Sequence, residues 1–342
     1  MEISETLEVV RTRNNHHQAW IWALGLGLLA LLWISLFFGR YPALGFIQIE
    51  QILHDDLAQR LILNLRFPRL LTAALLGATL SAAGMVFQLL FNNPLVEPGF
   101  LGVSQGAAFG AGLCIVFFGG SALLTQTFSA VFAFVGLAAS VLLAHRLRYG
   151  GWILRLVLAG IAVSAFFSAG LGLLKYMADP LRQLPELTFW LLGSLASITW
   201  VKFSSVLPFT ILGLFVLYIF RWRINILSLT DDVAFSLGAN PSREKTLLMV
   251  AAVLPTAAMI SVAGMVGWVG LITPHLARRL FGSDARFSLP AAMLIGALFT
   301  VFCDDISRTV MAGEIPLGIL TSMLGAATFL ILMTAQPIKV KA

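Results

Sequence analysis

Charge is scarce in this 342-residue chain: only 11% of its residues are Asp, Glu, Lys or Arg, while 59% are hydrophobic. A water-soluble globular protein carries about 25% charged residues, so an ordinary soluble enzyme is excluded. Cysteine is also rare. Cys114 and Cys303 each sit inside an apolar stretch with no CxxC partner, which points to buried or lipid-facing thiols and away from a disulfide or a metal. No Gly-Lys pair occurs anywhere, so the GxxxxGK[ST] loop that cradles nucleotide phosphates is missing. Any ATP must be bound by another chain. HExxH is absent, and Asp55-Asp56, Asp231-Asp232 and Asp304-Asp305 lack the DxxxD spacing that would hold magnesium diphosphate. The apolar runs are nearly bare of ionisable groups, which a proton- or sodium-coupled carrier usually keeps inside its spans.

What is present is apolar length. A crossing needs about 20 apolar residues, and runs of that order start at Trp20, Leu70, Phe100, Phe128, Ile153, Trp200, Leu289 and Ile315. The stretch from Leu247 to Ala277 is too long for one crossing at about 1.5 Å per residue. It contains Pro255 and the glycines Gly264, Gly267 and Gly270, and reads as two short spans turning near Gly264. The expectation is one all-α polytopic membrane domain over residues 1–342, with about ten transmembrane helices.

The net charge of +6 does not indicate nucleic acid, because the basic residues are scattered in ones and twos with no aromatic-interleaved stripe. They read instead as topology charges. With ten spans, 14 basic residues share the side of both termini: Arg11, Arg13, Arg146, Arg148, Arg155, Arg221, Arg223, Arg243, Lys245, Arg278, Arg279, Arg286, Lys339 and Lys341. Eight fall opposite, and the positive-inside bias then makes the terminal side cytoplasmic. Residues 1–19 read as a polar cytoplasmic tail, with His16 and His17 solvated and not metal ligands. The run after them is too long, and Gly39-Arg40-Tyr41-Pro42 too poor a cleavage site, for a signal peptide.

Residues 221–245 form a cytoplasmic segment in which Thr230 or Asp231 caps a short amphipathic helix that stops at Gly238. Across the membrane, residues 177–199 contain FWLLGSL, too brief to cross. Small residues recur four apart, Gly77 with Ser81 and Gly102 with Gly106 and Gly110, the pattern of close helix contacts in lipid. Gly102-Val-Ser104-Gln-Gly106 also matches GxSxG, but that motif needs a strand-to-helix elbow and here lies in a Gly-rich apolar helix. The oddest charges are Arg66, Arg69 and Arg308 on the outer membrane edge. They read either as interfacial snorkelling or as cationic contacts for acidic groups of an external partner.

The segment Arg66 to Ala111, RFPRLLTAALLGATLSAAGMVFQLLFNNPLVEPGFLGVSQGAAFGA, resembles the R-x-P-R, G-A-x-L-x-x-x-G-x-x-x-Q and N-P-L-x-x-P-x-x-L-G pattern of the FecCD family. LVLAGIAV, FWLLGSL, GMVGWVGLITPHLARRLFGSDAR, CDDISR and GEIPLGILTSMLGAATFLILM resemble its later blocks in order. These proteins are permeases of type II ABC importers for iron-siderophores, haem, cobalamin and related chelates or oxyanions.

The resemblance implies a ten-helix subunit that forms a homodimer around a central translocation pathway in the bacterial inner membrane. It implies two ATP-binding cassette subunits, which hold ATP and Mg, docking on the cytoplasmic side, and a periplasmic substrate-binding protein docking outside. Arg66, Arg69 and Arg308 match family arginines that contact glutamates of the binding protein. Asp231, Asp232, Phe235, Leu237, Gly238 and Asn240 lie where the family keeps its coupling helices. Leu156, Ala159 and Ser164 lie on the span that lines its pathway. Trp268 replaces a usual Phe, and His275 keeps its place beside Pro274, where a lone histidine reads as structural. No metal or cofactor is expected on this chain, and no enzyme activity. The alternative is an ion-coupled secondary transporter, for which broken helices near the midplane are expected but the missing intramembrane acid counts against.

Overall fold

The computed structural model describes residues 2–40, 45–47 and 54–334, with the side chains of residues 2–11 and 13 undescribed. Lys339, Lys341, Tyr41 and Pro42 lie outside the described residues, as do the side chains of Arg11 and Arg13.

Lipid offers no hydrogen-bond partners to peptide groups, so a chain of this apolarity satisfies its backbone within helices. The long helices are α1 (Glu2–Phe37), α2 (Phe67–Leu90), α3 (Val103–Phe117), α4 (Ala122–Arg146), α5 (Trp152–Met177), a short α6 (Gln183–Leu192) and α7 (Trp200–Ile219). Two short helices follow, α8 (Arg221–Leu227) and α9 (Asp231–Ser236). The chain closes with α10 (Pro241–Ala263), α11 (Val269–Phe281), α12 (Ala285–Val310) and α13 (Leu317–Thr334). Among the described residues, eight helices are long and apolar enough to cross a membrane. The third and eighth expected spans are the shorter α3 and α11, which complete the ten.

Two expectations need correction. The polar tail is not separate from the first span: α1 is one continuous helix from Glu2, and His17 packs edge-on against Phe281 and Phe287 at ring-centroid distances of 5.6 and 5.2 Å. The second span also starts earlier than its apolar run, because a short helix, Asp56–Arg60, continues through a π-helical turn, Leu61–Arg66, into α2. The break in the long apolar stretch falls at Gly264, which ends α10 with φ +71°, the conformation glycine adopts without steric cost.

α2 and α12 form the centre of the bundle, with α11 and α10 packed on α2 and α3 packed on α4 and α5. Small residues set these approaches. A Cβ on Gly77 would meet the Gly296 carbonyl and the Thr300 hydroxyl, and one on Gly84 would meet the Gly270 backbone. Gly102, Gly106 and Gly110 each lie against α4, with the Gly136, Phe132 and Phe128 carbonyls in the space a Cβ would need at the second and third and near it at the first. Ser81 Oγ and Thr273 Oγ1 share a hydrogen bond of 2.5 Å, and Gln88 Nε2 donates to the Leu271 carbonyl at 3.0 Å, so polar groups fix α11 where glycine lets it come close. Gly84→Val is expected to force α2 and α11 apart and cost roughly 1–3 kcal/mol by overpacking. The loss is read as a lower thermal midpoint and a smaller monodisperse fraction in detergent than for Gly25→Val, a site with open space around it.

Candidate functional site

Both termini of the helical bundle lie at one end, the terminal end; the C-terminal end of α1 and the start of α13 lie at the other, the far end. At the far end the sequence-predicted arginines come together, but as part of an internal network. Arg69, in the first turn of α2, donates through Nε to Asp304 Oδ1 at 2.9 Å and through Nη1 to Glu314 Oε1 at 2.9 Å. Asp304 is fully buried on α12. One turn on, Arg308 pairs with Asp305 at 2.5 Å and donates to the carbonyls of Ser35 and Phe38, while Ser35 Oγ donates to Asp305 Oδ2 at 2.5 Å. Arg66 reaches the Leu36 carbonyl at 3.2 Å, and a Cβ on Gly39 would strike its guanidinium.

Arg69 and Arg308 are each only 8% exposed. They are therefore not free rim cations: the carboxylates of the CDDISR segment and of Glu314 occupy them, and together they hold the end of α1 to α2 and α12. Glu314, with φ +50°, was not anticipated from sequence, where an isolated acid in a Gly-Glu-Ile-Pro loop gives no hint of a partner 245 positions away.

Between the two ends, the backbone is irregular in two places. α3 has 15 residues and α11 has 13, which at about 1.5 Å each fall short of a hydrocarbon core of about 30 Å. The chain before α3 leaves the terminal end at Asn92, whose side chain donates to the Ser228 carbonyl at 2.9 Å. It turns back through Pro98–Leu101 to Gly102, which lies against Gly136 in the middle of α4. The chain thus enters the bundle as an irregular segment, and α3 carries it on to the far end. The second break, residues 264–268, ends at Trp268 with φ +70°, and the start of α11 lies beside Leu80 and Gly84 of α2.

Where the two breaks meet, two cavities open. One, of about 350 Å³, is lined by Glu97, Gly99, Ser104, Ile161, Ser164 and Gly267 among others. The second, of about 860 Å³, takes in Glu97, Met265, Trp268, Ser322 and Phe329. Glu97 belongs to both. Sequence reading passed over it because it lies outside every apolar run; the signal available was an acid between two prolines, Pro94 and Pro98, in a segment too short to leave the membrane.

Of the expected lining residues, Ser164 faces the first cavity. Leu156 and Ala159 do not: they are 1% and 0% exposed and sit in the packed core. The reason is the face α5 presents, since the buried stripe Leu156, Ala159, Val163 and Phe167 turns toward α3 and α4, leaving Ile161 at the cavity. Ser104 lines the same cavity in an α-helix, not on a strand-to-helix elbow. Among the described residues no three His, Cys, Asp or Glu come together to hold a metal.

At the terminal end, α8 and α9 project from the spans. Lys245 on α10 pairs with Asp231 at 2.7 Å, and Arg223 on α8 donates to both oxygens of Glu244 at 2.8 Å. Asn240 caps α10, accepting from the Arg243 amide, and Gly238 turns the chain with φ +79°. Asp284, at the start of α12, accepts from Asn225 at 2.8 Å. Burial pushes its carboxyl up, but hydrogen bonds from Arg286 and Asn225 outweigh it and hold the group below its ordinary range. On this rigid mount Val233, Phe235 and Leu237 are exposed, Phe235 by 72%.

A multi-pass helical bundle with paired interruptions, an internal cavity and a structured projection at one end defines a membrane permease. Residues 27–335 match the model of the FecCD transport family, and the chain belongs to that family. It is the permease subunit of an ABC importer. It is 38% identical over 319 residues to the molybdate import system permease protein MolB of Haemophilus influenzae, covering 90% of this chain and 94% of that protein. It is also 38% identical to the hemin transport system permease protein HmuU of Yersinia pestis, over 92% of this chain and 96% of the other. A solved structure of a metal-chelate type ABC transporter in an inward-facing conformation matches with a TM-score of 0.85 and 37% identity, covering 92% of this chain and 99% of that one. Family membership sets aside the ion-coupled carrier and the GxSxG hydrolase.

Removing one partner of a buried ion pair strands the other. Asp304→Asn is expected to cost roughly 3 kcal/mol, lowering the thermal midpoint in detergent, and Asp305→Asn less, because its side chain keeps 14% exposure against none for Asp304.

Proposed function

We propose that this chain moves a metal chelate, or a chemically related haem, cobalamin or oxyanion cargo, from periplasm to cytoplasm across the bacterial inner membrane. Two copies form the path, both termini are cytoplasmic, and two ATP-binding cassette subunits, which hold ATP and Mg, dock at the terminal end. A periplasmic substrate-binding protein delivers cargo at the far end. The relatives named above, a molybdate and a hemin permease, support the oxyanion and haem ends of this span.

The observation that carries the reading is the α9 projection. An exposed apolar triad, Val233, Phe235 and Leu237, stands outside the lipid-spanning helices on a base fixed by two ion pairs. Apolar side chains held rigidly in water stabilise the protein only when a partner covers them. Asp231, Gly238 and Asn240 then shape the mount, Asp232 stays at its surface, and Phe235 and Leu237 make the contact. Motion of the ATPase subunits is transmitted to α10 through the Lys245–Asp231 and Arg223–Glu244 pairs.

At the far end, the carboxylates now bound to Arg69 and Arg308 exchange for acidic groups of the binding protein, and Arg66, whose partner among the described residues is a backbone carbonyl, meets it directly. Opposed charges there give steering and register.

Phe235→Glu with Leu237→Glu is expected to abolish co-purification of the ATPase subunits and ATP-driven uptake in proteoliposomes while leaving the thermal midpoint within about 1 °C. Retained co-purification would remove α9 as the docking element, and full uptake driven by an ion gradient without ATPase subunits would overturn the importer reading. Arg66→Glu is expected to weaken binding-protein affinity at low salt about tenfold, with little change at 1 M salt, where the Debye length is about 3 Å.

A further inference from the structure

Glu97 is a part-buried acid on a cavity wall, unlike the unpaired Asp56, Glu186 and Asp232, which are exposed. It lies on the irregular segment before α3, between Gly99 and Gly270: a Cβ on either glycine would come within 3.5 Å of one of its carboxylate oxygens. Asp231, Glu244, Asp284, Asp304, Asp305 and Glu314 all have a cationic partner. No described residue gives Glu97 a hydrogen bond or an ion pair, and neither cavity it lines contains a second charged side chain. Irregular backbone at membrane depth persists only where protein buries it or a water-filled cavity borders it, and both breaks of this fold border these cavities. An acid placed in such a wall, when nothing in the chain neutralises it, takes its partners from whatever fills the cavity.

We propose that Glu97 is the charged contact of the translocation path and makes it cation-preferring: its carboxylate accepts hydrogen bonds from ammonium, N–H or O–H groups on the outer surface of the cargo as it crosses the junction of the two cavities. The rest of the lining is apolar or carries neutral hydroxyls and amides. Cargo therefore meets one polar anchor, strong enough to orient it and too isolated to hold it. A single unshielded carboxylate also disfavours a small dianion at this point unless its charge is masked.

This rests on the cavities being the path, yet its test needs neither cargo nor ATPase, so failure here leaves the importer reading standing. The full chain in lipid nanodiscs, with Cys114→Ala and Cys303→Ala and a Ser322→Cys reporter in the larger cavity, is treated at pH 8.5 with cationic and anionic thiosulfonates of equal size. The protein's net charge of +6 favours the anionic reagent overall. With Glu97 in place, the cationic reagent is expected to react at least fivefold faster than the anionic one, relative to their ratio on a free thiol. E97Q should abolish that bias and E97D should keep it. Raising salt from 10 mM to 1 M should collapse it in the chain that retains Glu97, a comparison that requires no variant at this position. Equal ratios at low salt, or a reporter that neither reagent reaches, would overturn the proposal.

Discussion

The peptide group is the constraint on which the rest of this molecule depends. In lipid each N–H and C=O left without a partner costs several kcal/mol, which drives nearly all of the chain into helices. It also makes the two places where helix gives out informative. The segment before α3 and the turn between α10 and α11 are tolerated because glycine-mediated contacts seat them inside the bundle: Gly102 against Gly136, and Gly270 against Gly84. The cavities exist because helices stop short there. Function in this fold is located by the interruption of secondary structure more than by any assembled set of reactive groups.

Polar side chains are distributed in keeping with that division. They cluster at the two ends, where they fasten elements distant in sequence, and they thin out between. The far-end network around Asp304 and the terminal-end pairs around α9 are built from similar ionic contacts but serve unlike ends. The first is enclosed, with side chains near zero exposure, so its loss is felt as stability. The second is half in water, contributes little by itself, and matters for the orientation it gives a neighbouring apolar surface.

Most of the architecture was legible because it follows from one-dimensional properties. Apolar run length located each span from α2 onward, though several ends differ by six or seven residues and the second span starts at Asp56, and the excess length of residues 247–277, with its glycines, located the turn that the structure places at Gly264. Spacing of small residues identified which face of α3 packs. What escaped was everything that depends on which groups meet across the bundle. Arg69 of the RFPR segment looked like a surface charge because its carboxylate partners lie 235 and 245 positions away. The burial of Leu156 and Ala159 in the core was not foreseen because an all-apolar helix carries no periodic signal of its buried side. Glu97 was overlooked because depth in the membrane is a property of the folded loop and not of its composition.

The hold on α1 has a consequence for assembly. Ser35 and Phe38 are secured by Asp305 and Arg308, some 270 residues downstream. At about 5–20 residues per second, the first helix waits tens of seconds in the bilayer before its clasp has been synthesised. During that interval its far end has Arg66 of the second span at the Leu36 carbonyl but not the ionic clasp of α12. The bundle thus closes last at the point where it began, and the ninth crossing is what makes the first one permanent.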